Sequence, residues 1–537
     1  MKKTVILLTL MLAALGLAAQ EDFDFDFGFG DEGSQDSSLP LVSMSGEIST
    51  GFTLFPGEWE SWDSFKAVEL GDIVSGALNF SLSGPYADAY IGLGLTPNFE
   101  DPAKILSLDE AWIRAFFGGF TLEAGLLKLS WGRADVLGPL DVVNPLDYSD
   151  LSSLQDQQEM KLSRPMIHVS YWFSGDVPLS IEGVYLPWFQ GDLYATEGRW
   201  VAQQLTDTTQ AMLDAINGAL TPTLGPGYLS LADISGMGGG VQTTGLEYSQ
   251  WGLRMTTTLG PVDLGLQYYS GFPSRPEAVL NRSAMSTIDA DAATLASASV
   301  AAQTAQTTYQ TALTALGTKI ASAPSDASIP GLAAAVDLAY GALLAASAAA
   351  ESAALALETA LGNAYSIGYS RYHQVGIDYA QSIWGFNIRA EFAANLTADL
   401  DGTNGAVYNP SLAWALGVYR DLFWGVDMLL QANQSIRLFN GQVGSDPVYD
   451  VEAAARDHAT ATRITLSFSK AFDDLTLRFT TLWGIEDMDF LIIPSLSWAQ
   501  GGLGLSLTGG VFLGDSKGEL GQFAKHSYLK LGMSYSF

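Results

Sequence analysis

The stretch WGFNIRAEFAANL, residues 384–396, alternates between two kinds of side chain. Apolar residues occupy every second position: Trp384, Phe386, Ile388, Ala390, Phe392, Ala394 and Leu396. Small, polar or charged residues occupy the positions between them: Gly385, Asn387, Arg389, Glu391, Ala393 and Asn395. Successive side chains of an extended strand point to opposite faces, so this segment predicts a strand with one apolar and one polar face. The segment is about twice as long as an ordinary strand and has the length that a tilted strand needs to cross a bilayer.

The same alternation recurs along the chain from residue 42 onward. It is found in RPMIHVSYWF (164–173), VDLGLQYY (262–269), FWGVDMLLQAN (423–433), DLTLRFTTLW (474–483) and GLGLSLTGGVFLG (502–514). Short links such as FFGGF and WAQGG alternate with mostly long ones, at about residues 55–72, 131–163, 188–244, 271–370 and 440–458. A soluble β-sandwich has no reason to keep its tight turns on one side, whereas a transmembrane barrel has short periplasmic turns and long external loops.

These features predict an all-β fold, a transmembrane antiparallel β-barrel of about 18 strands, with 14 or 16 as alternatives. The final segment, SYLKLGMSYSF (527–537), places apolar residues at every second position and ends on an aromatic residue. It resembles the C-terminal targeting signal of bacterial outer-membrane barrels, with Tyr535 and Phe537 as its aromatic residues. Trp384, Trp424 and Trp498 fit an aromatic girdle at the same membrane interface.

The start of the chain predicts export. Residues 1–19 contain Lys2 and Lys3, an apolar run and small residues before a cleavage site, which is the pattern of a signal peptide. Residues 20–40 are acidic with alternating phenylalanines and are interpreted as a flexible periplasmic tail. The chain has no cysteine, which excludes a lipoprotein and a disulfide framework. No later segment offers about twenty apolar residues free of charge, so a helical membrane bundle is not expected.

The charge balance bears on partners. The net charge is −33, and loss of Lys2 and Lys3 with the signal peptide makes it about −35. Such an acidic chain is not expected to bind nucleic acid or an acidic ligand. The expected partners are outer-membrane lipid, the machinery that assembles barrels into the outer membrane, and a small solute.

Alanine-rich sequence interrupts the barrel pattern. Residues 285–365 predict a helical hairpin inserted in an external loop, with Ser286 and Asp289 as a possible capping pair. A further helix is predicted near residues 199–220. The sequence does not decide whether the hairpin caps the pore, folds inside it or projects toward a partner.

No pattern indicates an enzyme. His168, His373, His458 and His526 lie in separate segments without the spacing of metal ligands, and no nucleophile elbow or phosphate-binding loop is present. No catalytic residue, metal site or cofactor is therefore predicted, although residues gathered from different strands remain an open possibility.

Charged residues on the polar faces are the candidates for lining a pore. The alternation directs both acids and bases inward: Arg114, Glu123, Glu182, Arg254, Asp263, Arg389, Glu391, Asp427 and Arg478. Charges are costly against lipid unless they are hydrated or paired, so a lumenal position is expected. They form either a polar passage or a network of ion pairs that braces the wall.

Residues 129–165, LSWGRADVLGPLDVVNPLDYSDLSSLQDQQEMKLSRP, leave a strand and return to the next one. The Trp131–Gly132 strand end, the Asn144, Pro145 and Asp147 turn and the re-entry from Lys161 to Pro165 resemble a family of bacterial outer-membrane barrels of unknown function. The resemblance implies a porin-like barrel and no particular substrate. One hypothesis is a constriction loop inside the lumen, in which Arg133 opposes Asp135, Asp141 or Asp147. The alternatives are a loop shaped only by its turn formers and, less favoured, a calcium site.

The sequence thus predicts a channel in the cell outer membrane for passive passage of small solutes, with external loops controlling access. Two alternatives stay open at this stage. One is a surface-exposed barrel that binds a partner or host protein through its loops, and the other is a carrier of hydrophobic molecules.

Overall fold

The computed structural model describes residues 41–58, 67–70, 74–96, 105–155, 157–175, 177–230 and 241–537. The predicted signal peptide and acidic tail, residues 1–40, lie outside these residues.

The described residues form eighteen long strands, which we number along the chain. The first nine are β1 (Leu41–Leu54), β2 (Ser75–Ser83), β3 (Ala87–Leu95), β4 (Leu106–Phe117), β5 (Phe120–Leu127), β6 (Arg164–Phe173), β7 (Leu179–Leu186), β8 (Gln250–Leu259) and β9 (Val262–Gly271). The other nine are β10 (Tyr372–Ile383), β11 (Phe386–Leu396), β12 (Ser411–Asp421), β13 (Asp427–Arg437), β14 (Thr460–Phe472), β15 (Leu475–Gly484), β16 (Asp489–Gln500), β17 (Leu503–Leu513) and β18 (Tyr528–Ser536).

Each strand pairs with its neighbours in sequence, and the last strand closes the sheet on the first. β18 runs antiparallel to β1 in a register that extends from Glu47 opposite Ser536 to Leu54 opposite Leu529. The main chains of Gly46 and Phe537 exchange two hydrogen bonds of 2.9 Å. The fold is therefore a closed antiparallel barrel of eighteen strands, which confirms the predicted fold class.

The connections at the two ends of the barrel differ in length. At one end most are tight turns, and at the other most are long. Trp384 and Gly385 form a two-residue turn with φ values of 51° and 78°, the left-handed geometry that matches the twist of a hairpin. The positive φ is unfavourable for a residue with a large side chain. The Trp384 side chain is 90% exposed at the rim of the barrel.

The outer face of the barrel is apolar and the inner face is polar. Large hydrophobic side chains stay exposed on the outer face of successive strands, for example Leu253, Leu266, Ile377, Phe392, Leu416, Phe479, Leu507 and Leu531. The alternate positions carry side chains such as Gln267, Asp378 and Glu391, which are almost fully buried inside. This is the distribution expected for a barrel with lipid outside and water within.

In the described part of the chain, three long helices extend from the end with the long connections, α1 (Gln203–Leu224), α2 (Arg282–Ser322) and α3 (Ile329–Gly362), and a five-residue helix, Val451–Ala455, lies between β13 and β14. α2 and α3 form the predicted hairpin, but the predicted cap is wrong. The Asn281 side chain accepts hydrogen bonds from the Ser283 and Ala284 main chains, so α2 begins one turn before Ser286. Ser286 instead donates to the Ser283 carbonyl within the helix.

The base of the hairpin is fixed to the barrel end. Glu277–Leu280 pairs with Tyr365–Gly368, and the Asn281 main chain donates to the Ala364 carbonyl at 2.7 Å. Side chains of α1 pack there against α2 and α3 in a buried apolar cluster that includes Ile216, Ile288 and Leu357. α3 has the length and composition of a membrane-spanning helix, which by itself is weak evidence that it crosses one.

Candidate functional site

Residues 129–163, between β5 and β6, fold into the lumen, and we call them the inward loop. On one side, the Leu140 main chain hydrogen-bonds Glu391 of β11. On the other side, Gln155 donates to Ser495 of β16 at 2.9 Å, and Tyr528 of β18 donates to the Ser152 carbonyl at 3.0 Å. The inward loop therefore crosses the barrel from wall to wall.

A single carboxylate, Glu391, holds the main chain of the inward loop. It accepts hydrogen bonds from the backbone N–H groups of Arg133 (2.5 Å), Ala134 (2.7 Å) and Leu140 (3.2 Å). Glu391 is only 3% exposed, so these donors replace the water that a carboxylate requires. A charge that is fully satisfied in this way positions the loop firmly, because leaving it without donors would be very costly.

Asp378 of β10 lies at the centre of the second anchor. Its two oxygens accept from Arg133 Nε at 2.5 Å and from Arg254 of β8 at 3.0 Å. Arg133 also lies 3.6 Å from Asp263 of β9. The hypothesis that Arg133 opposes the acids of its own loop is therefore wrong. The Arg133 side chain points toward the barrel wall, where its positive charge offsets the cost of burying the Asp378 carboxylate.

The three loop acids have other partners. Asp135 forms an ion pair with Arg389 of β11, and Asp141 lies 2.5 Å from Lys161 of the same loop. Asp147 accepts from the Ser149 main chain at 2.9 Å and so shapes a turn. Burial raises the pKa of Asp141 despite the adjacent Lys161, and burial likewise raises the pKa of Asp135 despite Arg389.

Neutral amide side chains complete the attachment. Gln267 and Gln374 donate to the carbonyls of Leu140 (2.9 Å) and Pro139 (3.0 Å). Gln431 both accepts from and donates to the Val136 main chain, at 3.0 and 3.2 Å. Asn433 donates to the Leu137 carbonyl at 2.8 Å. An amide carries both a donor and an acceptor, so it can pair with main chain in either direction.

Shape complementarity adds to these polar contacts. Gly376 of β10 faces the fully buried Leu140, and a Cβ at position 376 would overlap the Leu140 side chain. Trp131 is 2% exposed and packs edge-on against Tyr269 at a ring separation of 6.5 Å. The wall is thus recessed where the loop lies.

The inward loop is also braced internally. Asn144 donates to the carbonyls of Leu127 and Leu162, at 2.9 and 2.7 Å, and accepts from the Leu129 main chain at 2.8 Å. It therefore ties together the two stems by which the loop leaves β5 and enters β6. Lys161 is 4% exposed and contacts Ser130 as well as Asp141.

A second charged group lies on the wall formed by β4, β5, β6 and β7. Glu123 contacts Arg114 and His168, both at 2.5 Å, and His168 lies 3.4 Å from Glu182. The predicted inward residues Arg114, Glu123 and Glu182 are thus brought together, with His168 as their link. They form a network of ion pairs across adjacent strands.

Two predicted lumenal residues lie apart from the inward loop. Asp427 is at the first position of β13, beside a short turn, and pairs in register with Ser469. Arg478 of β15 lies opposite Ser469 and Ser495. The predicted targeting residues Tyr535 and Phe537 are about half exposed, at 51% and 50%.

Sequence reasoning missed Asp378 and the amides Gln267, Gln374, Gln431 and Asn433. All five lie at polar positions of alternating segments, which was the available signal. Among the described residues, no group of three or more His, Cys, Asp or Glu side chains is arranged to hold a metal ion.

No protein-family model matches the sequence, and no curated protein matches it. The fold is similar to that of the Escherichia coli outer-membrane protein Wzi, which is described as a carbohydrate-binding β-barrel involved in group 1 capsule assembly. The two chains are 9% identical, the comparison covers 92% of this chain and 84% of that chain, and the TM-score is 0.40. Salmonella typhi OmpF has 8% identity, 93% and 100% coverage and a TM-score of 0.37. The Acinetobacter baumannii outer-membrane channel DcaP has 7% identity, 94% and 99% coverage and a TM-score of 0.36. The family resemblance of residues 129–165 stays a prediction.

Proposed function

We propose that the protein is an integral outer-membrane channel through which small polar solutes pass passively, with the inward loop setting the width of the lumen. The observation that carries this proposal is the attachment of the loop to the wall at Glu391 and Asp378. A loop that is fixed by buried charges across a polar lumen narrows the passage without depending on a ligand. The proposal includes insertion in outer-membrane lipid by the barrel assembly machinery.

Small polar side chains line part of the barrel wall away from Glu391 and Asp378. The inner faces of β17, β18, β1 and β2 carry Ser506, Ser534, Ser49 and Ser75. Ser49 lies opposite Ser534 in the register and hydrogen-bonds Ser75, and Ser506 lies opposite Gly532, two residues before Ser534. Hydroxyl groups on small side chains leave room for water and can exchange hydrogen bonds with a passing solute. We infer that solutes follow this side of the lumen.

Liposome swelling tests the proposal. Purified protein in phospholipid vesicles should admit arabinose faster than glucose and glucose faster than sucrose, because a fixed constriction discriminates by size. Vesicles made with heat-denatured protein are the control. A swelling rate equal to this control for all three sugars would contradict the channel.

The partner-binding alternative has one supporting observation. α3 exposes three leucine side chains: Leu338 is 78% exposed, Leu344 53% and Leu355 58%. Exposed apolar side chains on one element are a feature of surfaces that bind a partner. The alternative predicts that a variant lacking residues 282–362 keeps its permeability but loses attachment to cells or surfaces. The hydrophobic-carrier alternative depends on the phenylalanines of residues 20–40, which lie outside the described residues.

A further inference from the structure

Side chains from several connections converge at the end of the barrel that carries the long connections. They are Tyr148 of the inward loop, Tyr194, Arg275, Tyr408, Glu519 and, at the start of β14, Arg463, which interact with one another electrostatically. We call this group the mouth chamber. Such convergence of a few polar groups from separate segments is typical of a ligand site.

Two tyrosines form one side of the mouth chamber. Asp147–Tyr148 and Leu193–Tyr194 pair as short parallel strands, which places Tyr148 and Tyr194 side by side. The rings of Tyr148 and Tyr194 stack at 5.5 Å with an interplanar angle of 12°. The pair presents flat apolar surface and two hydroxyl groups on a rigid support.

Arg275 lies against this pair. Its Nε donates to the Tyr194 hydroxyl at 3.1 Å, and its guanidinium carbon lies 5.6 Å from the centre of the Tyr194 ring. The Arg275 side chain is exposed to solvent. Its N–H groups that do not bond Tyr194 are therefore open to a ligand from the water at this end of the barrel.

The charges around Arg275 leave it available to a ligand. Glu519 and Asp192 interact electrostatically with Arg275, but Glu519 forms its ion pair with Arg463, at 2.6 Å, and Asp192 accepts from the Tyr194 hydroxyl at 3.4 Å. Among the residues that the structure describes, no carboxylate oxygen lies within ion-pair distance of Arg275. A guanidinium with several N–H groups directed into water is the preferred partner of a planar oxyanion.

We propose that the mouth chamber binds a small, hydroxyl-rich anion, with its carboxylate or phosphate group on Arg275 and its hydroxyl groups near Tyr148 and Glu519. The acidic balance of the whole chain predicts no acidic ligand. Locally, however, three arginines, Arg275, Arg456 and Arg463, lie close enough to interact with one another or with the carboxylates Asp192 and Glu519, so cations are available in this region. Charges elsewhere on the protein are screened beyond about 8 Å at physiological salt. This inference rests on the proposed function only in that an anion bound at the mouth would be a solute for the lumen behind it.

Three sugars that differ in one group provide the test. Glucuronate, glucose 6-phosphate and glucose are titrated calorimetrically into the full-length protein in detergent. We expect at least one of the two anionic sugars to bind at least about tenfold more tightly than glucose, consistent with a charge-assisted hydrogen bond. The difference between the two anions then identifies a carboxylate or a phosphate as the recognised group.

Variants locate the site. Arg275→Gln should abolish the preference for the anion, while Arg420→Gln should keep it, because Arg420 lies over Phe386 at the other end of β12 and β11. Arg275→Lys, which keeps the charge without the planar fork, should retain part of it. Equal binding of all three sugars, or an anion preference that survives Arg275→Gln, would overturn the proposal.

Vesicle swelling separates this proposal from the channel proposal. Permeable vesicles without an anion preference in the titration would overturn the mouth chamber and leave the channel standing. Impermeable vesicles with Arg275-dependent binding would refute the channel and support the chamber.

Discussion

Replacement of Glu391 by glutamine is expected to release the inward loop. The carboxylate accepts three backbone N–H groups, two on Oε1 and one on Oε2. An amide keeps one oxygen, so its NH₂ group must face a donor, either Leu140 N–H or the N–H groups of Arg133 and Ala134. The remaining hydrogen bonds also lose their charge.

The magnitude follows from these three bonds. Changing two bonds from charged to neutral costs about 1 kcal/mol each, and leaving the third donor unsatisfied costs about 1 kcal/mol or more. The total of about 3 kcal/mol corresponds to a roughly 100-fold shift toward the released loop. Loss of the negative charge beside Asp378 removes a repulsion and reduces this total somewhat.

Single-channel recording in planar bilayers measures the effect. The Glu391→Gln variant should show a larger mean conductance than wild type, with transitions between two levels as the loop detaches and returns. Glu351→Gln, which changes an exposed carboxylate on α3, is the matched control. Wild-type conductance and noise in Glu391→Gln would refute the reasoning.

Three further predictions concern the recess, the hairpin and the rim. Gly376→Ala should displace Leu140 and raise the conductance. Adding Leu140→Ala should restore the wild-type conductance, because the new methyl group at position 376 would occupy space that the Leu140 side chain vacates. Wild-type conductance in the Gly376→Ala single variant would contradict the recess. Joining Asn281 to Asn363 by a short linker in place of α2 and α3 should leave the barrel folded, because the two ends of the hairpin lie next to each other. Heat-modifiable migration on gels measures barrel formation, and a barrel that fails to form would contradict this prediction. Burial raises the pKa of Glu58, but hydrogen bonds from Arg199 and His526 outweigh it and lower the pKa below 4.5. Stability from this group is therefore present above pH 4.5 and is lost as the pH falls through the lowered pKa, so the melting temperature should drop over that range in wild type and less in Glu58→Gln; identical pH profiles would contradict the role of this contact.

The barrel itself was accessible from sequence because its signal is local. Residues 384–396 alternate without a break, and the same face of β11 that appears polar in the sequence carries Arg389 and Glu391 toward the inward loop. The start of α2 was misjudged, because Ser286 and Asn281 are both good capping residues and only the chain geometry selects Asn281.

The partners inside the lumen were not accessible in the same way. The alternation predicts that Glu391 points inward, but the backbone N–H groups that donate to it lie more than 250 residues away in sequence. Arg133 could equally have paired with an acid of its own loop, and the choice of Asp378 depends on how deeply the loop enters the barrel. The amides are the least predictable, because a neutral Gln267 or Gln431 suits any polar wall.

An engineered disulfide between the loop and the wall tests the central claim most directly. The chain has no cysteine, so Gly376→Cys with Leu140→Cys introduces a single possible bridge at a point where the two chains touch. In the Glu391→Gln background, the oxidised protein should conduct at the wild-type level, and reduction in the bilayer should raise the conductance to that of Glu391→Gln alone. Failure of the two cysteines to cross-link, or a conductance that reduction leaves unchanged, would contradict a lumen narrowed by residues 129–163.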